Sequence, residues 1–151
     1  MTDPMLKNIL ERAIQSEEHS YNLYSNLSTR VERPETRKLL EGLAAQELEH
    51  KRLLEGVDLE AGGPVEAPKI PDEKTLADFL EPTPIDASAT VQDVILFAIR
   101  KEQSAYEFYK RMSEYAPKAP VKKLFDKLTG EELKHKNNLE DLYEEMFMRE
   151  M

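Results

Sequence analysis

The stretch LFDKLTGEELKHKNNL (Leu124–Leu139) contains the motif ELKH at Glu132–His135. An earlier stretch, LLEGLAAQELEHKRLL (Leu39–Leu54), contains the related motif ELEH at Glu47–His50, so the two motifs are offset by 85 residues, the difference between positions 132 and 47. In both stretches leucines recur at helical spacing on either side of the motif. Because residues three apart share a helix face, each Glu-His pair falls on the apolar stripe. The sequence therefore predicts two helices that each direct a glutamate and a histidine toward the core.

A second pair of blocks shares the same offset. AIQSEEHSYNLY (Ala13–Tyr24) aligns with AIRKEQSAYEFY (Ala98–Tyr109), and each block has one glutamate on its helical stripe, at Glu17 and Glu102. An internal repeat of a helical hairpin explains both alignments more simply than chance does. Counted from the proposed helix starts, the two single glutamates and both motifs lie near the middle of their helices. We expect six side chains to meet at one height inside the molecule: Glu17, Glu47, His50, Glu102, Glu132 and His135.

Helix starts are marked by prolines and by one capping pattern. Pro4, Pro34 and Pro120 are each suited to the first position of a helix. Thr90 and Asp93 form an S/T-x-x-D variant of the capping box, which predicts the start of the third helix. The connections within each half are short, so the helices they join are expected to be antiparallel neighbours.

The segment between the two hairpins contains five of the nine prolines and the Gly62-Gly63 pair, so no long helix can run through it. We expect this segment to cross along the bundle, with a short helix at Glu73–Leu80. The predicted fold is all-α, a four-helix bundle with one long crossover. The single domain 1–151 comprises a hairpin at 4–57, the crossover at 58–89 and a hairpin at 90–149.

The composition of the chain excludes several classes of partner and binding site. A formal net charge of −9 argues against nucleic acid as a partner. The absence of cysteine excludes disulfides, iron–sulfur clusters and cysteine-based zinc or rubredoxin sites. No apolar run approaches the roughly 18 to 20 residues that cross a bilayer, and the first residues lack the layout of a signal peptide. We therefore expect a cytoplasmic protein without a membrane partner.

Four buried carboxylates require a compensating positive charge. No Lys or Arg lies on the four stripes, and two divalent cations would balance four carboxylates with both imidazoles neutral. Four carboxylates and two imidazoles supply at most five donor atoms to each ion, which leaves room for water, dioxygen or peroxide. Such a shell suits iron or manganese, and zinc can also bind. We therefore expect the six residues to bind two metal ions.

The two Glu-x-x-His pairs, with the frame AI-x-x-E-x-x-x-Y-x-x-Y around Glu17 and Glu102, resemble the rubrerythrin-like branch of the ferritin-like superfamily. The resemblance implies a ferritin-like bundle that binds two irons through the six residues and reduces hydrogen peroxide or dioxygen. Rubrerythrins proper also carry a rubredoxin-type iron site, which this cysteine-free chain lacks, so a separate donor such as a rubredoxin or ferredoxin must supply electrons. They tend to carry a further glutamate where this chain has Ala105.

Two other functions remain open: a non-enzymatic iron-binding or storage protein, and a di-iron oxygenase acting on an organic substrate. A bundle whose site is empty or holds zinc is the non-catalytic alternative. The apolar end of the chain, with Met146, Phe147, Met148 and Met151, is expected to pack on the bundle or on a second subunit, and we expect a homodimer.

Flanking residues have more than one interpretation. Four tyrosines lie on the faces of the single glutamates, where they hydrogen-bond to the ligand carboxylates, pass electrons, or only pack in the core: Tyr21, Tyr24, Tyr106 and Tyr109. His19 points away from the cluster and is interpreted as a surface residue. Glu18, Glu49 and Glu131 are likewise interpreted as surface or flank charges.

Overall fold

The computed structural model describes residues 4–57, 88–115 and 121–148. These residues form four helices and contain no β-strand: α1 (Pro4–Ser28), α2 (Pro34–Glu55), α3 (Val91–Tyr115) and α4 (Val121–Phe147). Helix α1 packs along α2, and α3 packs along α4, so the bundle consists of two hairpins that face each other. The prediction of an all-α, ferritin-like bundle is confirmed. The predicted crossover lies outside the described residues except for 88 and 89, and so does the predicted helix at Glu73–Leu80.

The helix starts follow from local sequence. The Asp93 backbone N–H donates to Thr90 Oγ1 at 3.1 Å, and the Thr90 N–H donates to Asp93 Oδ2 at 3.3 Å. This reciprocal pair is the predicted capping box, and it satisfies two backbone donors at the start of α3. Pro34 is the first residue of α2 and follows Arg33 in an extended conformation. Helix α4 is described from Val121, so its predicted start one residue earlier is outside the described residues.

Two clusters of buried apolar side chains fill the bundle, one toward each end. The first cluster comprises Ile9, Leu10, Ala13, Leu54, Ala105, Phe108, Tyr109, Met112, Phe125 and Leu128. The second comprises Tyr24, Leu27, Val31, Leu40, Leu43, Ala44, Val94, Ile95, Ala98, Leu139 and Leu142. Both draw residues from all four helices, so they join the hairpins above and below the midpoint. A layer between them, at the middle of the helices, is left for polar side chains.

The buried face of α2 and α4 is wider than the single stripe that the leucine spacing predicts. Leu39 and Leu124 lie on the predicted stripe but are half-buried at the edges of the clusters. Leu40 and Phe125, one position further along, are 0% and 1% exposed. A bundle helix contacts two neighbours, so its apolar face spans about 100° or more and includes adjacent positions.

The end of α4 is partly covered by the bundle. Tyr143, Met146 and Phe147 pack against the second cluster, and the Tyr143 and Phe147 ring centroids are 5.3 Å apart. Met148 is 49% exposed. Within the described ranges, no helix combines the length and hydropathy that a bilayer-spanning segment requires.

Candidate metal centre

The six residues expected to bind metal lie together in the middle layer, between the two apolar clusters. Each is at most 3% exposed. They form two overlapping groups of four, and within each group the candidate ligand atoms lie within 4.8 Å of one another. Glu17 and His50 belong to one group, Glu102 and His135 to the other, and Glu47 and Glu132 to both. We call the groups the Glu17/His50 position and the Glu102/His135 position; each takes its own glutamate and histidine from one hairpin.

The cluster contains buried polar atoms that the protein does not satisfy. Five of them have no hydrogen-bond partner: Glu17 Oε2, Glu47 Oε2, His50 Nδ1, Glu102 Oε2 and Glu132 Oε1. In the described parts of the chain, no other buried side-chain nitrogen or oxygen is without a partner. An unsatisfied buried group costs about 1 to 3 kcal/mol, and more when it is charged. Since carboxylate oxygens and imidazole nitrogens are metal ligands, these atoms are suited to bind cations.

The two imidazoles turn the same nitrogen toward the carboxylates. His50 Nδ1 lies 2.8 Å from Glu132 Oε1, and neither atom has a hydrogen-bond partner. His135 Nδ1 lies 2.7 Å from Glu47 Oε1. The rings stack with centroids 5.5 Å apart and an angle of 15° between their planes. Each histidine therefore presents Nδ1 to the cluster, and each approaches the shared glutamate of the opposite hairpin.

The outer nitrogens have partners next to the shared glutamates. His50 Nε2 lies 2.6 Å from Glu131 Oε2, and His135 Nε2 contacts Gln46 Oε1. When Nε2 donates its proton to these oxygens, a neutral imidazole has its Nδ1 lone pair available for a metal. The Glu131 side chain is 37% exposed, in keeping with a surface or flank charge, but the sequence interpretation did not include its contact with His50. Gln46 was missed as well, although both residues directly precede a motif glutamate at equivalent repeat positions.

Two of the four predicted tyrosines contact candidate ligands across the hairpins. The Tyr24 hydroxyl donates to Glu102 Oε1 at 2.5 Å, and the Tyr109 hydroxyl donates to Glu17 Oε1 at 2.6 Å. Burial raises the pKa of both tyrosines well above the usual value, and the Glu102 and Glu17 carboxylates raise these pKa values further. Both hydroxyls therefore remain protonated donors. Each engages one oxygen of its glutamate and leaves the other oxygen free for a metal.

The other two tyrosines have no such role. Tyr21 and Tyr106 are half-buried, and among the described residues neither hydrogen-bonds to one of the six candidate ligands. Tyr21 packs against the second apolar cluster, and the Lys110 ammonium lies 5.9 Å from the centroid of the Tyr106 ring. For these two, the packing interpretation holds. His19 is exposed, as predicted.

A buried lysine accompanies the cluster. Lys101 is 5% exposed and donates to Ser16 Oγ at 2.9 Å. Lys101 precedes Glu102 as Ser16 precedes Glu17, so the two partners occupy equivalent repeat positions. Burial lowers the pKa of Lys101, while the four carboxylates of the cluster act in the opposite direction. The sequence pattern did not identify Lys101, because adjacent helical positions point about 100° apart and Lys101 therefore lies off the stripe that contains Glu102.

Burial and neighbouring charges raise the pKa values of several groups in the cluster, so these groups retain protons. Burial raises the pKa of Glu47 and Glu132 well above the usual value, and the Glu102 carboxylate adds to the effect. Burial also acts to raise the pKa of Glu102, but His135, Glu132 and Tyr24 together outweigh it and hold that pKa below the usual value. Burial acts to lower the pKa of His50, but the Glu132 and Glu17 carboxylates together outweigh it, and the pKa rises to about 11. Bound cations would displace such protons.

Comparison with known proteins agrees with this arrangement. A sequence model of the Rubrerythrin family matches residues 8–143, which include parts of all four helices and all six candidate ligands. The chain is also similar to a solved structure of a hypothetical protein from Pyrococcus furiosus, with a TM-score of 0.66 and 24% identity over 90% of this chain and 86% of that chain. That likeness supports the fold. No curated protein matches the chain significantly. From the family match, this chain belongs to the rubrerythrin family of ferritin-like helical bundles.

Proposed function

We propose that the cluster binds two iron ions and that the protein is an oxidoreductase that reduces hydrogen peroxide or dioxygen. The observation that carries the proposal is the convergence of five buried, unpartnered ligand atoms in the middle layer of a rubrerythrin-family bundle. Each ion would be bound by four residues, with Glu47 and Glu132 shared between the two. The shared glutamates are suited to hold the ions close enough to act on one substrate.

The side chains around the cluster hold its donor atoms in position. Bound iron would supply the one-electron redox chemistry that reduction of an O–O bond requires. Tyr24 and Tyr109 each bind one oxygen of a glutamate, which directs the other oxygen inward. Glu131 and Gln46 contact the outer nitrogens of the histidines, which keeps both Nδ1 atoms facing the carboxylates of the cluster. The apolar clusters above and below this layer exclude bulk water.

The electrons come from outside the chain in this proposal. Reduction of one hydrogen peroxide to two waters consumes two electrons and two protons, and the chain has no cysteine to build a rubredoxin-type centre. A separate rubredoxin or ferredoxin is the donor class we propose. Ala105 is buried in the first apolar cluster and offers no further carboxylate, so the six residues are the complete proposed ligand set.

Anaerobic loading with ferrous iron tests the proposal. We expect about two irons per chain after desalting, and oxidation of the bound iron on addition of hydrogen peroxide or dioxygen. Turnover is expected only when a reduced donor is supplied. Elemental analysis of protein purified without added metal identifies the native occupant and separates iron from manganese or zinc. A chain that holds no metal after careful reconstitution, or bound iron that neither oxidant oxidises, would contradict the proposal. Iron far above two per chain would indicate storage.

A further inference from the structure

We infer that the two metal positions are inequivalent and that Glu131 makes the Glu17/His50 position the tighter one, which fills first. This inference rests on the proposed metal site and deepens it. It comes from a difference between the hairpins at one pair of equivalent repeat positions. The outer nitrogen of His50 contacts a carboxylate, and the outer nitrogen of His135 contacts an uncharged amide.

The contacts that carry the inference cross between α2 and α4. Glu131 Oε2 on α4 lies 2.6 Å from Nε2 of His50 on α2. In the opposite sense, Gln46 Oε1 on α2 contacts Nε2 of His135 on α4. The candidate ligands and their tyrosine partners are matched, because each position has one glutamate held by a tyrosine, one histidine through Nδ1 and the same two shared glutamates. Gln46 and Glu131 are therefore the residues that distinguish the two imidazoles.

A carboxylate and an amide act differently on an imidazole. The N–H···O⁻ bond from His50 to Glu131 is charge-assisted, and it increases the electron density that Nδ1 can donate to a metal. The carboxylate also places a negative charge near the Glu17/His50 position. The Gln46 amide orients His135 without adding charge. Both effects favour the first cation at the Glu17/His50 position.

The exposure of Glu131 limits how strongly the first ion prefers the Glu17/His50 position. The Glu131 side chain is 37% exposed, so water screens part of its charge. Changes to such outer hydrogen-bond partners typically alter metal affinity by about 10-fold to 100-fold, and we expect the lower end here. Lys101, at the position equivalent to Ser16, is a buried charge that the first repeat lacks. Its charge acts on all four carboxylates of the cluster and most strongly on Glu17, so it opposes the preference for the Glu17/His50 position and reduces its size.

Zinc titration of the metal-free full-length chain, followed by ¹H–¹⁵N NMR of the imidazoles, tests the inference. The chain has three histidines, and exposed His19 is an internal control. With one equivalent of Zn²⁺, a tenfold preference places about three quarters of the bound metal at His50. The His135 signals complete their change during the second equivalent. The double variant Gln46→Glu/Glu131→Gln keeps composition and net charge, and we expect it to reverse the order.

Three variants separate the outcomes. Glu131→Gln alone is expected to make the two positions nearly equal, and it keeps the test decisive should the double variant fail to fold. Glu49→Gln removes an exposed charge on α2 and should leave the order unchanged. Equal filling of both positions in the wild-type chain, or an unchanged order in the double variant, would overturn the inference. Zinc that leaves both His50 and His135 unchanged would instead overturn the proposed metal site itself.

Discussion

The Tyr109 hydroxyl on α3 donates a 2.6 Å hydrogen bond to Glu17 Oε1 on α1. The equivalent pair, Tyr24 and Glu102, makes the same bond in the opposite direction between the two hairpins. Each tyrosine thus links the hairpins and occupies one oxygen of a candidate ligand. The two bonds leave each glutamate with one inward oxygen, which is suited to bind a single ion.

Replacement of Tyr109 by Phe tests this role. The aromatic ring still fills the core beside Phe108 and Phe125, so the helical fold should persist. Loss of the hydroxyl leaves Glu17 Oε1 without its donor, which should cost about 1 to 2 kcal/mol of stability and about tenfold in metal affinity. Competition with a chromophoric chelator measures the affinity. Tyr21→Phe is the matched control, and equal effects of the two variants would contradict the assigned role.

Replacement of a shared glutamate should lower the number of metal ions bound per chain more than replacement of an unshared one does. Glu17→Gln removes a ligand from one position, so we expect about one tightly bound ion per chain in place of two. Glu47→Gln weakens both positions and should lower the bound metal further. Elemental analysis after desalting measures the stoichiometry, with Glu49→Gln as the surface control. Equal retention of metal by the Glu17 and Glu47 variants would contradict a shared role for Glu47.

The stability of the metal-free protein should fall as pH rises from about 6 to about 9. The pKa values of Glu47 and Glu132 are raised by burial, and that of His50 is raised to about 11. Above the usual carboxyl and imidazole pKa values, the folded chain retains protons that the unfolded chain has released, so the free energy of unfolding falls with pH. Stability from His50 is fully present below its unfolded pKa and is lost toward pH 11. The lowered pKa of Glu102 adds stability that is lost only below the usual carboxyl pKa, which is outside this pH range.

Melting temperatures across this pH range check the sign. Two bound divalent ions replace the retained protons, so loaded protein should show a flatter or reversed pH dependence. The comparison uses one preparation, with a chelator or with excess Zn²⁺. A melting temperature of the metal-free protein that rises steadily over the range would contradict the assignment of raised pKa values to the cluster.

Removal of the buried cation should strengthen metal binding. Lys101 interacts electrostatically with all four carboxylates, and its ammonium repels ions bound beside it. Lys101→Met keeps the length and most of the volume of the side chain, so we expect several-fold tighter binding of Zn²⁺. Isothermal titration calorimetry measures the change, and Lys134→Met, at an exposed position, is the control. Weaker binding in the Lys101 variant would show that the amine positions ligands through Ser16.

The sequence by itself determined the helices, the repeat and the members of the cluster. Glu47 and His50 interrupt a leucine stripe, and Glu132 and His135 interrupt its repeat at the same depth, so a bundle of these helices has to bring them together. The Thr90 cap was predictable for a related reason. Its partner is three residues away, and a local hydrogen bond needs no knowledge of the other helices.

Tertiary packing decided which residues surround the cluster and which of its glutamates belong to both candidate groups. Helical periodicity gives the angle of a side chain about its own axis, but the identity of its neighbour depends on how the helices pack. Glu131 and Lys101 each lie one position off a predicted stripe, yet packing places the first against His50 and buries the second beside Ser16. Only the packed helices show that Glu47 and Glu132 are shared. The six members of the cluster are thus predictable from the sequence, whereas the contacts of Glu131 and Gln46 with the two imidazoles arise from packing between helices.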